Sequence, residues 1–173
     1  MILVMVGTQL PFDRLIRTID AIAPTLSADV FAQTGNGAYV PKDIKWKGLI
    51  GPAEFDDLLP RTSVIVAHAG VGTILMAQKH RKPIILFPRR SAMGEHRNDH
   101  QAATASAMEG RSGIYIARTS DELARLLGRR LEPPQDDVTT SSDRERLNNA
   151  VADYIRKNAA RHSDRRAIFS FRK

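Results

Sequence analysis

Apolar positions along this chain change period several times, and each change marks an element. Ile2–Val6 is a continuous apolar run, as expected of a strand covered on both faces. Phe12, Leu15, Ile16, Ile19 and Ile22 then recur at helical spacing, and Pro24 stops that helix. Asp29–Gln33 and Ile44–Ile50 read as two more strands, separated by the turn-forming Thr34-Gly35-Asn36-Gly37. A short helix is expected over Glu54–Leu59, a strand over Val64–Ala67 and a helix from Gly72 to about His80. The strand Ile84–Phe87, a helix from Asn98 to Met108 and the strand Gly113–Ala117 follow. Ser120 is expected to cap a last domain helix, with Asp121 and Glu122 in the first turn, where the helix dipole favours acids. Strand and helix alternate throughout. That succession predicts an α/β fold, a doubly wound and mostly parallel sheet with helices on both faces.

The pattern also divides the chain. Residues 1–131 carry the alternation, and residues 132–143, rich in Pro, Asp, Thr and Ser, read as a linker. From 144 to 173 a basic segment places Leu147, Val151, Tyr154 and Ile155 as an apolar stripe on one more helix. The net charge is +7, and nine basic residues against three acids between Arg144 and Lys173 account for +6 of it. The basic character therefore belongs to the tail. An anionic lipid surface or an acidic partner fits such a tail. Nucleic acid does not, because the tail has only Tyr154, Phe169 and Phe171 as stacking groups and no recognised motif. A solvated helix with no partner is the bland alternative. There are no cysteines, so neither disulfides nor thiolate metal sites hold the fold, in keeping with a cytoplasmic setting. The longest apolar run is far short of the roughly 20 residues needed to cross a bilayer. The opening MILVMVGTQ has no basic residue before its apolar run, so neither a signal peptide nor an anchor is expected.

In a doubly wound sheet, ligands sit beyond the carboxyl ends of the strands. Three loops lie there: Gly7-Thr8-Gln9, His68–Thr73 and Pro88–Gln101. In the second, Gly70 and Gly72 remove two Cβ atoms where strand becomes helix. An anion can then approach the backbone and the positive end of the next helix. A tight turn with no ligand is the alternative, since glycine is the usual residue of such turns. No Gly-Lys-Ser/Thr is present, which excludes a Walker loop. Leu75 stands where a dinucleotide fingerprint has its third glycine, and the motif follows the fourth strand rather than the first. The third loop concentrates titratable groups: Arg89, Arg90, Glu95, His96, Asp99 and His100. Asn98 or Asp99 also suits a helix N-cap. His96 and His100 with Asp99 are a weak metal pattern, and no metal is expected.

At this point a resemblance becomes specific. HAGVGTILMAQKHRKPIILFPR is similar to the donor-binding half of family 28 glycosyltransferases, with their His-Ala-Gly-x-Gly-Thr/Ser motif, a helix and a Gly-Lys-Pro-led strand. VGTQLPFDRLI resembles the opening of the one-domain members, and PRRSAMGEHRNDHQ most resembles their bacterial exopolysaccharide branch. There, a soluble subunit pairs with a membrane-bound one to glycosylate a polyprenyl-diphosphate-linked sugar. The likeness covers residues 1 to about 130.

What the resemblance implies is one Rossmann-like half of a GT-B enzyme, binding a UDP-sugar as substrate and transferring the sugar with inversion. No cofactor is implied, because helix N–H groups and basic side chains balance the diphosphate. It places the diphosphate over His68, Ala69, Gly70, Gly72 and Thr73, with Gly7 and Thr8 beside it, and the donor sugar at Asp99, His100 and Gln101; Arg89 and Arg90 are phosphate-binding candidates by residue type, with exposed surface arginines as the alternative. His68, Glu95 and His96 are the candidates for general base, unless a partner supplies it. Many relatives carry a ribose-binding glutamate four residues after the second glycine. Met76 stands here and can only pack, and Gln78 lies too far round the helix to replace it. The implied partners are a membrane-anchored acceptor-binding subunit and a polyprenyl-linked acceptor, at the inner face of the plasma membrane. There the tail makes peripheral contact, with Ile168, Phe169 and Phe171 at its end. A non-catalytic nucleotide-sugar-binding regulatory subunit is the other reading.

Overall fold

The computed structural model describes residues 1–135. The expected helix and tail over 144–173, and the linker beyond 135, lie outside the described residues.

Six strands and five helices alternate in the described residues. They are β1 (Ile2–Met5), α1 (Asp13–Ile22), β2 (Val30–Gln33), β3 (Lys45–Lys47), α2 (Pro52–Leu58) and β4 (Val64–Ala67). There follow α3 (Val71–Lys79), β5 (Ile84–Leu86), α4 (His100–Met108), β6 (Ile114–Ile116) and α5 (Ser120–Leu127). All pairings are parallel, in the order β3-β2-β1-β4-β5-β6. Each strand expected from the apolar runs is present. Alternate residues of each strand feed the two faces, as the pleat requires. Ile2, Val4, Val66 and Ile85 pack with Phe12, with Leu15, Ile16 and Ile19 of α1 and with Leu123 of α5. Ile65, Ala67, Ile84 and Leu86 pack with Ile74 and Ala77 of α3 and Ala105 of α4. Leu3 meets Ile50 and Leu58 of α2. The sheet is thus covered on both sides, and its strands are correspondingly apolar.

The departures are local. β3 is shorter than the expected Ile44–Ile50, and Lys45, Trp46 and Lys47 are all exposed. It is the edge strand, and flanking lysines are a common guard on such edges. The last helix is capped by Thr119, whose side chain accepts from the Glu122 amide at 3.2 Å, so Ser120 is its first residue and not its cap. Residues 132–135, read as the start of a linker, are bonded to the domain. The Glu132 amide and carbonyl both meet Tyr115 Oη (2.9 and 3.1 Å), Pro134 packs against Gly113, and the Gln135 amide donates to Ser112 Oγ at 2.8 Å.

One buried acid organises a loop that no periodicity announces. Asp20, on the inner face of α1, is 2% exposed and accepts from Tyr39 Oη (2.6 Å), the Lys42 amide (3.0 Å) and the Asp43 amide (2.8 Å). Burial pushes its carboxyl up, but these hydrogen bonds outweigh it and hold the group below its ordinary value. Asp20→Ala strands three donors and is expected to cost about 2–4 kcal/mol in denaturant titration. Because the native value is depressed, that stability is present above the ordinary carboxylate range. It is lost as pH falls through the native value, so the gap between wild type and variant should narrow towards acid.

Candidate functional site

The strand order reverses between β1 and β4, and a doubly wound sheet opens its crevice at such a point. The β1–α1 loop begins with Gly7 and the β4–α3 loop with His68, so both lie on that crevice. The β5–α4 loop stands beside them.

His68 is half-buried, and its ring is held between two glycines. A Cβ on Gly7, which adopts φ +79°, would lie 2.8 Å from His68 Cε1 and 3.2 Å from Nε2. A Cβ on Gly70 would overlap Nε2 as well. The glycine spacing therefore vacates room for an imidazole before it vacates room for any ligand. Gly72 is different: a Cβ there would meet nothing within 4 Å. His68 Nδ1 is buried with no hydrogen-bond partner among the described residues. Burial, then the charges of Arg89 and His96, push the imidazole below its ordinary value, against an opposing influence of the Met5 backbone. His68 is therefore neutral at physiological pH, with a single ring proton to offer.

The start of α3 lies next to this ring. Gly70, extended at φ −87° and ψ 131°, caps the helix with its carbonyl, which accepts from Thr73 (3.1 Å) and Ile74 (3.2 Å). Its own amide donates to the His68 carbonyl at 2.8 Å. No side chain caps the helix, and the Val71 and Gly72 amides have no partner among the described residues. Two free N–H groups on a helix dipole form an anion seat. Ala69 is 3% exposed and offers only backbone, Thr73 is half-buried, and Thr8 is exposed at the tip of the neighbouring loop. Met76 packs against the α3–α4 core, as its chemistry requires.

The β5–α4 loop holds two of the candidates against protein groups. Arg89, expected at a phosphate, is 2% exposed, and its guanidinium is committed to protein carbonyls. Nη1 donates to Pro11 (2.6 Å) and Glu95 (3.3 Å), and Nη2 donates to Val6 (2.6 Å) and Leu10 (2.7 Å). Glu95, expected as a general base, is gripped by Arg14 through Nε (2.6 Å) and Nη2 (2.8 Å), and it also accepts from the Arg90 amide at 2.9 Å. A carboxylate with its lone pairs so occupied is poorly placed to take a proton. Arg90 is exposed, and one of its guanidinium nitrogens contacts the Arg118 carbonyl. His96 Nδ1 lies 3.1 Å from Asn98 Oδ1, leaving Nε2 as its open nitrogen. Asp99 holds the N-cap position of α4, but its carboxylate accepts from the Ser91 amide at 2.9 Å, which keeps it below its ordinary value. Asn98 Oδ1 instead accepts from the His100 amide at 3.3 Å. Gln101 Oε1 holds the Arg89 amide at 3.2 Å and keeps its NH2 free, while the His100 side chain is exposed and unbonded among the described residues. Among those residues no group of three or more His, Asp or Glu side chains converges as a metal cage.

Arg14 is the site residue that sequence reading missed. Its guanidinium lies over Phe87 (4.4 Å) and Phe12 (5.3 Å) and also donates to the Pro88 carbonyl at 2.8 Å. An arginine in the first turn of an amphipathic helix carries no sequence signal of such a role.

Known structures share this architecture at low identity. The NMR solution structure of ALG13 superposes with a TM-score of 0.54 at 17% identity, over 84% of this chain and 93% of that one. MurG of Acinetobacter baumannii gives 0.52 at 18%, over 73% and 40%. The Streptomyces sp. SF2575 glycosyltransferase SsfS6, complexed with thymidine diphosphate, gives 0.52 at 18%, over 84% and 35%. The chain thus spans about a third to two fifths of these larger glycosyltransferases, and its domain is one half of the GT-B fold. No curated protein matches the sequence. The family model "Glycosyltransferase family 28 C-terminal domain" matches residues 1–161, and the chain belongs to that family.

Proposed function

We propose that this chain is the donor-binding half of a two-part inverting glycosyltransferase. It takes a UDP-sugar and, with a membrane-associated partner, transfers the sugar to a polyprenyl-diphosphate-linked saccharide, as in exopolysaccharide synthesis. The observation that carries the reading is the pair of unfilled amides at the start of α3, opening beside a neutral histidine at the sheet's switch point. A diphosphate on those amides leaves with its developing charge on donors that are already oriented, which is where electrostatic catalysis has most effect. His68 adds one N–H without adding a charge. Arg90, on the exposed side of the loop, is the remaining basic candidate of the two arginines.

The general base in this reading is His68, His96 or a group of the partner, with Glu95 the weaker candidate because Arg14 grips it. The SsfS6 structure holds thymidine diphosphate, a related leaving group, and this supports a nucleoside diphosphate here. The need for a partner draws support from the lips of the crevice. Each loop exposes one large apolar side chain, namely Leu10 (37%), Val71 (49%) and Met93 (56%), a surface suited to being covered. Among the described residues no helix is long and apolar enough to cross a membrane.

Calorimetric titration of the full chain with UDP tests the reading. Saturable binding is expected, and its absence at millimolar UDP would remove the donor assignment. His100→Ala and Gln101→Ala are expected to lower sugar transfer by the reconstituted pair about tenfold or more, while leaving UDP affinity within about threefold. Equal losses in both would place that loop at the nucleotide instead. If UDP binds but no partner or acceptor ever yields transfer, the non-catalytic regulatory reading takes over.

A further inference from the structure

We propose that Arg89, backed by the Arg14–Glu95 pair, is a positioning residue that locks the β1–α1 and β5–α4 lips of the crevice in one register about His68. The proposal rests on reading this crevice as the nucleotide site. Its physical basis begins with an anomaly. A fully buried cation is expensive unless well satisfied, and here no carboxylate touches it. Arg89 is held by four carbonyls and by the face of Phe12, 4.7 Å from the ring centroid. Three of those carbonyls, Val6, Leu10 and Pro11, belong to the β1–α1 segment, while the side chain springs from the β5–α4 segment. If bulk alone were needed, a leucine or methionine would fill the space. Only a planar fork with five donors reaches that many fixed acceptors at once.

Two further ties run beside it. Arg14, at the start of α1, grips Glu95 and the Pro88 carbonyl across the same gap. Gln101 at the start of α4 holds the Arg89 amide. The Val6 carbonyl directly precedes Gly7, and Gly7 abuts the His68 ring. Loosening Arg89 therefore frees the Gly7 turn to slide against the imidazole, and the seat at α3 loses one wall. The same guanidinium, with His96, is the charge that acts on His68, so its removal changes the electrostatics of the ring as well as its shape.

The test uses the full chain carrying Arg89→Met, Arg89→Lys and, as a gentler change, Glu95→Gln. In the ligand-free state, exchange of the Leu15 and Ile16 amides, which donate to the Phe12 carbonyl where the β1–α1 segment enters α1, should accelerate about tenfold or more in each variant, while β4 and β5 amides keep their protection. The His68 imidazole should titrate at higher pH in Arg89→Met and close to wild type in Arg89→Lys, a split that a merely structural role would not give. UDP affinity should fall at least about fivefold in Glu95→Gln without loss of the folded state. Unchanged exchange at Leu15 and Ile16 in folded Glu95→Gln and Arg89→Lys overturns the proposal. If the Arg89 variants do not fold, Glu95→Gln alone decides it by the same readout. Should even the wild type fail to bind UDP, the nucleotide reading fails, while the exchange data still judge the lock.

Discussion

Gly70→Val is expected to abolish UDP binding, by at least about a hundredfold, in a chain that remains folded. The argument is steric and specific to the ring. At φ −87° and ψ 131° the Gly70 backbone is open to any residue, so no conformational strain enters. What changes is space: even the first carbon of a side chain would overlap His68 Nε2, and valine adds two methyls. The ring must leave its slot, and its exit lies through the crevice where the diphosphate is placed. Gly70 is half-exposed at a helix end, so the core is spared. Gly72→Ala is the companion measurement. Its Cβ meets no protein atom within 4 Å, so any loss of affinity there has to come from the ligand's own volume. Wild-type affinity in a folded Gly70→Val would refute the placement of the diphosphate.

The 173-residue chain by itself is expected to bind donor yet give no measurable transfer to a lipid-linked acceptor. The described residues build one half of a GT-B fold, and the chain spans 40% and 35% of the larger glycosyltransferases it superposes on. In a two-half enzyme, donor and acceptor react in the cleft between halves, and effective molarities near 10⁵ M or more are lost when one wall is missing. Transfer should appear when the membrane subunit is added. The apolar lips give a way to check which surface it covers. Met93→Asp should leave UDP affinity within about threefold and cut transfer by the pair about tenfold or more. Robust transfer by the isolated chain would overturn the two-part reading.

How far these features could be read from the sequence varies by kind. Strands β1 and β5 are apolar runs ended by Gly or Pro, β4 is an apolar run ended by His68, and helices α1 and α5 have clean 3.6-residue periods, so local pattern sufficed. The glycines around residue 70 gave away the turn. The strand order did not show, because parallel pairing is decided by crossovers rather than by anything local. The protein partners of Arg89 and Glu95 escape the sequence for one shared reason. Charged residues after a strand look like surface ligands, and nothing in the spacing of Arg14 and Glu95, 81 positions apart, says that they meet. Asp20 was hidden similarly, since its partners at 39–43 belong to an irregular loop.

The slot that holds His68 carries a consequence for how this protein can vary. Positions 7, 68 and 70 form one sterically coupled set, so their substitutions should show sign epistasis. Gly70→Ala is harmful beside a histidine but becomes tolerable once residue 68 is small, because the obstructing ring is gone. Gly7→Ala should not be rescued in the same way, since its φ of +79° penalises any Cβ independently of the ring. As far as packing alone decides, 68 and 70 can therefore exchange together in either direction. A drifting lineage has to retain glycine at 7 throughout, which makes the first loop the slower clock of the two.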